Sequence, residues 1–203
     1  MRPTLFPIRR PRVGISVSAS ALSLVALRRP WFRRPIVKQV LERPLPSGLL
    51  KVSATEPHIT DLDAFAQELR ALTEGLSERT IALSVPNRAM HMGVFAFDRF
   101  PDDPEERAGL IKWRFREDLN LTIGDARVMM QIFPAGTRTQ VLAVAVRQTI
   151  LDQYEDVCAR AGLIPVSMGF SHLQLIGLYR RLMKGARRLC VMHWTGDEFM
   201  LLL

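Results

Sequence analysis

A chain of 203 residues, 48% of them hydrophobic and 24% charged, is long enough to bury a core and too apolar to be disordered throughout. Its formal charge of +8 is unevenly placed: 11 of the 28 basic residues and one acid, Glu42, lie in residues 1–51, a net +10, while the remainder holds 17 basic and 19 acidic residues, a net −2. Two cysteines and four scattered histidines provide neither a disulfide framework nor the ligand spacing of a metal centre.

Residues 1–11, rich in Pro and Arg, are expected to be irregular. Residues 13–27 carry no charge and are flanked by Arg, an arrangement shared with secretory leaders. Serines at 16, 18, 20 and 23 interrupt that stretch, and it is shorter than the about 20 residues of a membrane span. The alternation instead predicts two strands, 12–18 and 21–28, joined by a tight Ser-Ala-Ser turn. Residues 36–43 read as a third strand, followed by a loop at Pro44, Pro46 and Gly48.

Leu62, Phe65, Leu69 and Leu72 share one face of a helix over 61–74, with Thr60 and Asp63 at capping-box spacing. Strands follow at 79–85, closed by Pro86, and at 89–98, where Met90, Met92, Val94 and Ala96 lie on one side. Asp103 caps the next helix, with Pro104 in its first turn. Ala108, Ile111, Phe115 and Leu119 line one face of it, and Leu110 and Trp113 extend that face. Strands at 127–134 and 140–146 flank a turn at Gly136. The uninterrupted apolar run VLAVAV (141–146) predicts burial on both faces. Helix 149–161 buries Ile150, Leu151, Tyr154, Val157, Cys158 and Ala161, and Gly162 ends it in the left-handed conformation. A strand at 163–168, a helix at 171–183 and strands at 187–194 and 198–203 complete the order, with Gly196 and Asp197 as a hairpin signal. The pattern is α/β with a small α+β unit inserted near 87–140. The chain stops within the apolar EFMLLL, so a missing second lobe is expected.

Four stretches in this order resemble one family: VGISVSASALSLVAL; IALSVP with the strand ending in FDRFP; LIKWRFREDLNL; and VLAVAVRQTILDQYEDVCARAGLIPVSMGFSHLQLIGLY. Together they are similar to PilM, the actin-like protein of type IV pilus assembly, and to its relatives in MSHA pilus and type II secretion systems. The resemblance covers about residues 13–203.

The resemblance implies an actin-like (ribonuclease H-like) lobe. Residues 12–86 and 141–186 would form it, 87–140 would be the inserted α+β subdomain, and 187–203 the start of a second lobe that is largely missing. It also implies a cytoplasmic protein at the inner membrane, a scaffold rather than an enzyme. Its partners would be a PilN-like inner-membrane protein, bound through its N-terminal cytoplasmic peptide, and other components of the pilus platform. Trp113, Phe115 and Met92 are the candidate residues of the peptide groove. The basic front end suits an anionic membrane surface. Nucleic acid is not an expected partner, because there is no zinc-finger spacing, stacking motif or helix-turn-helix.

Family members that bind ATP open on Asp-x-Gly, where the Asp helps hold a metal near the phosphates and the Gly admits close backbone approach. Here Ser16 and Ser18 stand at those positions, and residues 1–41 contain no carboxylate. Ser16, Ser18, Ala19 and Ser20 are the candidate phosphate-loop residues, but serines in a strand turn usually satisfy local backbone groups. No metal site and no cofactor are expected. The alternative is an actin-like ATP-binding protein or slow ATPase, with ATP and magnesium at this loop.

Overall fold

The computed structural model describes residues 11–28, 34–121, 124–175, 190–195 and 198–202. These divide into two compact units, one drawn from 1–47, 63–87 and 158–203, the other from 48–62 and 88–157.

The first unit is built on a five-stranded mixed sheet in the order β3-β2-β1-β4-β8, formed by β1 (Val13–Val17), β2 (Ala21–Arg28), β3 (Ile36–Pro44), β4 (Thr80–Val85) and β8 (Ile164–Phe170). The short connection between β1 and β2 makes that pair antiparallel, whereas β1 reaches β4 only after the helix α1 (Leu62–Leu72) and pairs with it in parallel. Strand alternation sorts the residues. Val13, Ile15, Val17, Leu22, Leu24, Ala26, Ile81, Leu83 and Val85 are all buried, as are Phe65, Leu69 and Leu72 of α1. Exposed ion pairs from Arg43 to Glu68 and from Arg160 to Asp63 (2.7 Å) tie the periphery together and contribute little each.

The second unit is a three-stranded antiparallel sheet in the order β5-β7-β6, formed by β5 (Met90–Phe97), β6 (Ala126–Ala135) and β7 (Arg138–Arg147), together with helix α2 (Pro104–Leu119). Gly136 has a φ of 62° and turns β6 into β7 at no steric cost. β7 is the central strand, and the boundary expected at 140 falls inside it. It passes without a break into α3 (Gln148–Arg160). Val141 and 143–146 are buried, which agrees with the uninterrupted apolar run. α3 closes as expected: Gly162 takes a φ of 72°, and the Leu163 N–H donates to the Cys158 carbonyl at 2.8 Å.

At α2 the Asp103 carboxylate accepts from the backbone N–H of Glu105 and Glu106, both at 2.9 Å, as the spacing predicts. Thr60 behaves differently from expectation. Its hydroxyl donates to the carbonyls of Gly48 and Leu49, at 3.0 and 3.2 Å, instead of capping α1. Those carbonyls face it because Leu50 and Ile59 pair in a small antiparallel bridge, a non-local contact that spacing along the chain does not reveal. Residues 171–175 are helical, while 176–183 of the predicted helix lie outside the described residues. So do Gly196 and Asp197, although β9 (Val191–Thr195) and β10 (Glu198–Leu202) pair antiparallel on either side of them.

Candidate functional site

The opening hairpin holds the first group of candidate residues. The Ser18 N–H donates to the Ala21 carbonyl at 2.9 Å, closing a tight turn over Ala19 and Ser20. The Ser18 hydroxyl donates to the same carbonyl at 2.9 Å and accepts from the Ala21 N–H at 3.0 Å. Both the hydroxyl and the amide are therefore spent within the turn. The Ser20 carbonyl accepts from the Leu45 N–H at 2.8 Å.

Ser16 lies two strand positions further in than Ser18, between Ser23 on β2 and Ser84 on β4. On β3 the row continues to Glu42, opposite Ser23 and two strands from Ser16, while residues 1–41 contain no carboxylate. A magnesium–nucleotide group needs an anionic oxygen near the metal and free N–H donors at the phosphates. The residues at this hairpin do not fit it. Among the described residues no three His, Cys, Asp or Glu side chains gather as a metal set.

The second group lies on the three-stranded sheet and α2. Strand parity divides the sheet into two faces. Phe95, Phe97, Val141, Ala143 and Ala145 point to one, where they form a core with Ile111 and Phe115 of α2. Phe115 meets Phe95 edge-on, with ring centroids 5.2 Å apart. Gly93 floors this core: a Cβ there would stand 2.7 Å from the Phe95 ring. The Arg114 guanidinium lies 5.6 Å from the Phe95 ring centroid, 5.7 Å from that of Phe97 and 6.0 Å from that of Trp113, while pairing with Asp118 at 2.7 Å.

The three expected groove residues consequently do not converge. Phe115 is fully buried and belongs to the core. Met92 alternates to the opposite face of the sheet, beside Val144 of β7. Trp113 is 45% exposed on α2, one turn from the side-chain-free Gly109, where an added Cβ would meet nothing. An exposed indole next to a glycine leaves room for a bound chain to lie against the helix.

A third group went unread in the sequence. His58 is fully buried in the 48–62 segment. Its Nε2 faces the Ser53 carbonyl and its Nδ1 lies 2.9 Å from the Tyr154 hydroxyl. A carbonyl only accepts, so Nε2 carries the hydrogen and Nδ1 accepts from Tyr154. Burial holds the His58 pKa below its ordinary value, partly offset by the Ser53 carbonyl, and burial raises that of Tyr154. Gln153 completes the fastening. Its Oε1 accepts from the N–H of His58 at 2.7 Å and of Ile59 at 3.2 Å, and its Nε2 donates to the Ile59 carbonyl at 3.2 Å. With the imidazole neutral and enclosed, this cluster holds a loop in place and presents no nucleophile. Its members lie about a hundred positions apart, which hides it from any local pattern.

No protein-family model matches the chain, and no curated protein matches its sequence. Solved structures do match in shape. One is described as the PilM-PilN type IV pilus biogenesis complex, with a TM-score of 0.73 and 23% identity over 91% of this chain and 55% of that one. Another is the cytoplasmic domain of EpsL, an inner-membrane component of the type II secretion system of Vibrio cholerae. Its TM-score is 0.56 with 8% identity, over 93% of this chain and 66% of that one. The present chain thus spans about half the length of the PilM-PilN chain it matches. With its mixed sheet in the order β3-β2-β1-β4-β8 and its three-stranded sheet, the chain shares the fold of the chain it matches in the PilM-PilN structure.

Proposed function

We propose that this protein is an adaptor in the assembly of a type IV pilus or a related secretion machine, and that it binds the cytoplasmic N-terminal segment of a PilN-like inner-membrane protein. The carrying observation is the fold shared with a structure described as a PilM-PilN complex. In this reading the three-stranded sheet with α2 is the inserted subdomain, the five-stranded sheet with α1 belongs to the lobe, and the protein works on the cytoplasmic side of the inner membrane. Among the described residues no helix is long and apolar enough to cross a membrane.

The exposed indole of Trp113 supports a peptide site along the outer side of α2. There an extended segment would place apolar side chains against Trp113 and beside Gly109, and the charges of Arg116 and Glu117 would border it. Serine at positions 16 and 18, where ATP-binding relatives carry Asp and Gly, supports a role without phosphoryl transfer, because that chemistry depends on a positioned metal and charge.

The test is titration of a fluorescent peptide, the cytoplasmic N-terminal segment of the PilN-type protein from the same organism, into the purified chain. Binding is expected, with Trp113→Ala weakening it about 30-fold, the loss of one interfacial anchor. Met92→Ala, on the far face of the sheet, is expected to leave it unchanged. No binding to the intact chain would defeat the adaptor reading, and equal binding by Trp113→Ala would remove the site from α2.

A further inference from the structure

The first unit carries a cluster of exposed basic and aliphatic residues at one end of its sheet. β1 begins there, β2 ends there and β3 begins there. Arg28 stands opposite Ile36, and the Leu27 N–H donates to the Arg12 carbonyl at 2.7 Å. Arg12, Arg28 and Arg34 are all exposed at these three neighbouring strand ends, about 5 Å from one strand to the next. Lys38 follows on β3, where the register with β2 shifts between Ala26 and Leu27. Between the cations lie Ile36 and Val37, 54% and 57% exposed. Glu42, the only acid in residues 1–51, faces Ser23 five register positions along, roughly 17 Å from this end. Among the described residues no carboxylate pairs with Arg12, Arg28 or Arg34.

We infer that this strand-end cluster binds the surface of an anionic lipid bilayer directly. The arginines and Lys38 would meet lipid phosphates, while Ile36 and Val37 enter the acyl boundary. The exposed aliphatics decide between polyanions. A bilayer accepts an aliphatic side chain just below its phosphates, whereas a single-stranded nucleic acid asks for aromatic faces on which bases stack. The local excess of positive charge supplies complementarity to a leaflet rich in phosphatidylglycerol. The inference does not depend on the peptide site, which lies on the other unit. Anchorage would then come from two weak signals, a protein partner and a lipid surface.

Flotation of the 203-residue chain with vesicles of phosphatidylethanolamine and phosphatidylglycerol, beside vesicles of phosphatidylcholine alone, tests it. The chain is expected to float with the anionic vesicles and not with the zwitterionic ones, and to be released by salt. Arg12→Gln, Arg28→Gln and Arg34→Gln together are expected to lower partitioning about 100-fold, about fivefold for each arginine. Arg88→Gln, Arg99→Gln and Arg127→Gln, equal in charge and exposed on the other unit, serve as the control and are expected to lower it much less. Ile36→Ser with Val37→Ser is expected to abolish the binding that survives high salt. Equal flotation with both vesicle types, or equal losses in the two triple variants, would overturn the inference. Tighter retention on a homopolymer RNA than on anionic vesicles at the same salt would also overturn it, in favour of nucleic acid.

Discussion

Replacing Gln153 by Met keeps the length of the side chain and removes the amide that fastens the 48–62 segment to α3, while the His58–Tyr154 hydrogen bond stays in place. The native amide serves three backbone groups, the N–H of His58, the N–H of Ile59 and the carbonyl of Ile59. Leaving partly buried groups unpaired costs about 1 kcal/mol apiece at the low end, so a loss of about 3 kcal/mol is expected. For a chain of this length that lowers the melting temperature by about 6–12 °C. Hydrogen exchange gives the sharper reading, since exchange at the His58 and Ile59 amides is expected to quicken about 100-fold. The Lys51 N–H still donates to the His58 carbonyl at 2.8 Å, and its protection is expected to fall less. A melting temperature within about 1 °C of the parent, with protection at both amides unchanged, would refute the assignment of Gln153 as the fastener.

Three other perturbations test the packing and electrostatics. His58 stays neutral in the fold because burial lowers its pKa from 6.5, so its contribution is complete above that value and is lost as pH falls from 6.5 toward the lowered folded value. Denaturation midpoints are expected to decline over that window, with a shallower decline in His58→Gln; identical slopes would be the contrary result. Gly93→Ala drives a methyl into the Phe95 ring and is expected to cost about 1–3 kcal/mol by chemical denaturation. In Phe95→Leu the same change is expected to cost much less, so strict additivity in that double-mutant cycle would count against a clash. Asp103→Ala strips α2 of its cap and is expected to cost about 1 kcal/mol, with fraying visible by exchange in the first turn.

Much of the fold was legible because its signals are local. The helix faces around Phe65 and Tyr154, the caps at Asp103 and Gly162, and the turn at Gly136 each lie within a few residues of their cause. Strand parity correctly set Met90, Met92 and Val94 apart from Phe95 and Phe97. Parity alone does not say which face a helix will cover, and that choice went to the aromatic row. Met92 and Trp113 therefore ended on opposite sides of the sheet, and Phe115 was taken into the core. The His58–Tyr154–Gln153 fastening and the diversion of Thr60 to Gly48 and Leu49 depend on partners brought together by the fold.

The interleaving of the chain between the two units also sets an order of birth. β5, β6 and β7 lie together in residues 90–147, so the small sheet has all its strands while the large one still lacks β8. At a synthesis rate of about 5–20 residues per second, roughly 4–17 s separate the end of β4 at Val85 from the end of β8 at Phe170. Throughout that interval β4 offers an unpaired edge that is flanked by fully buried residues in the finished fold. Slow codons or a chaperone acting on this window would therefore change the yield of folded protein more than the same intervention after Phe170 has emerged.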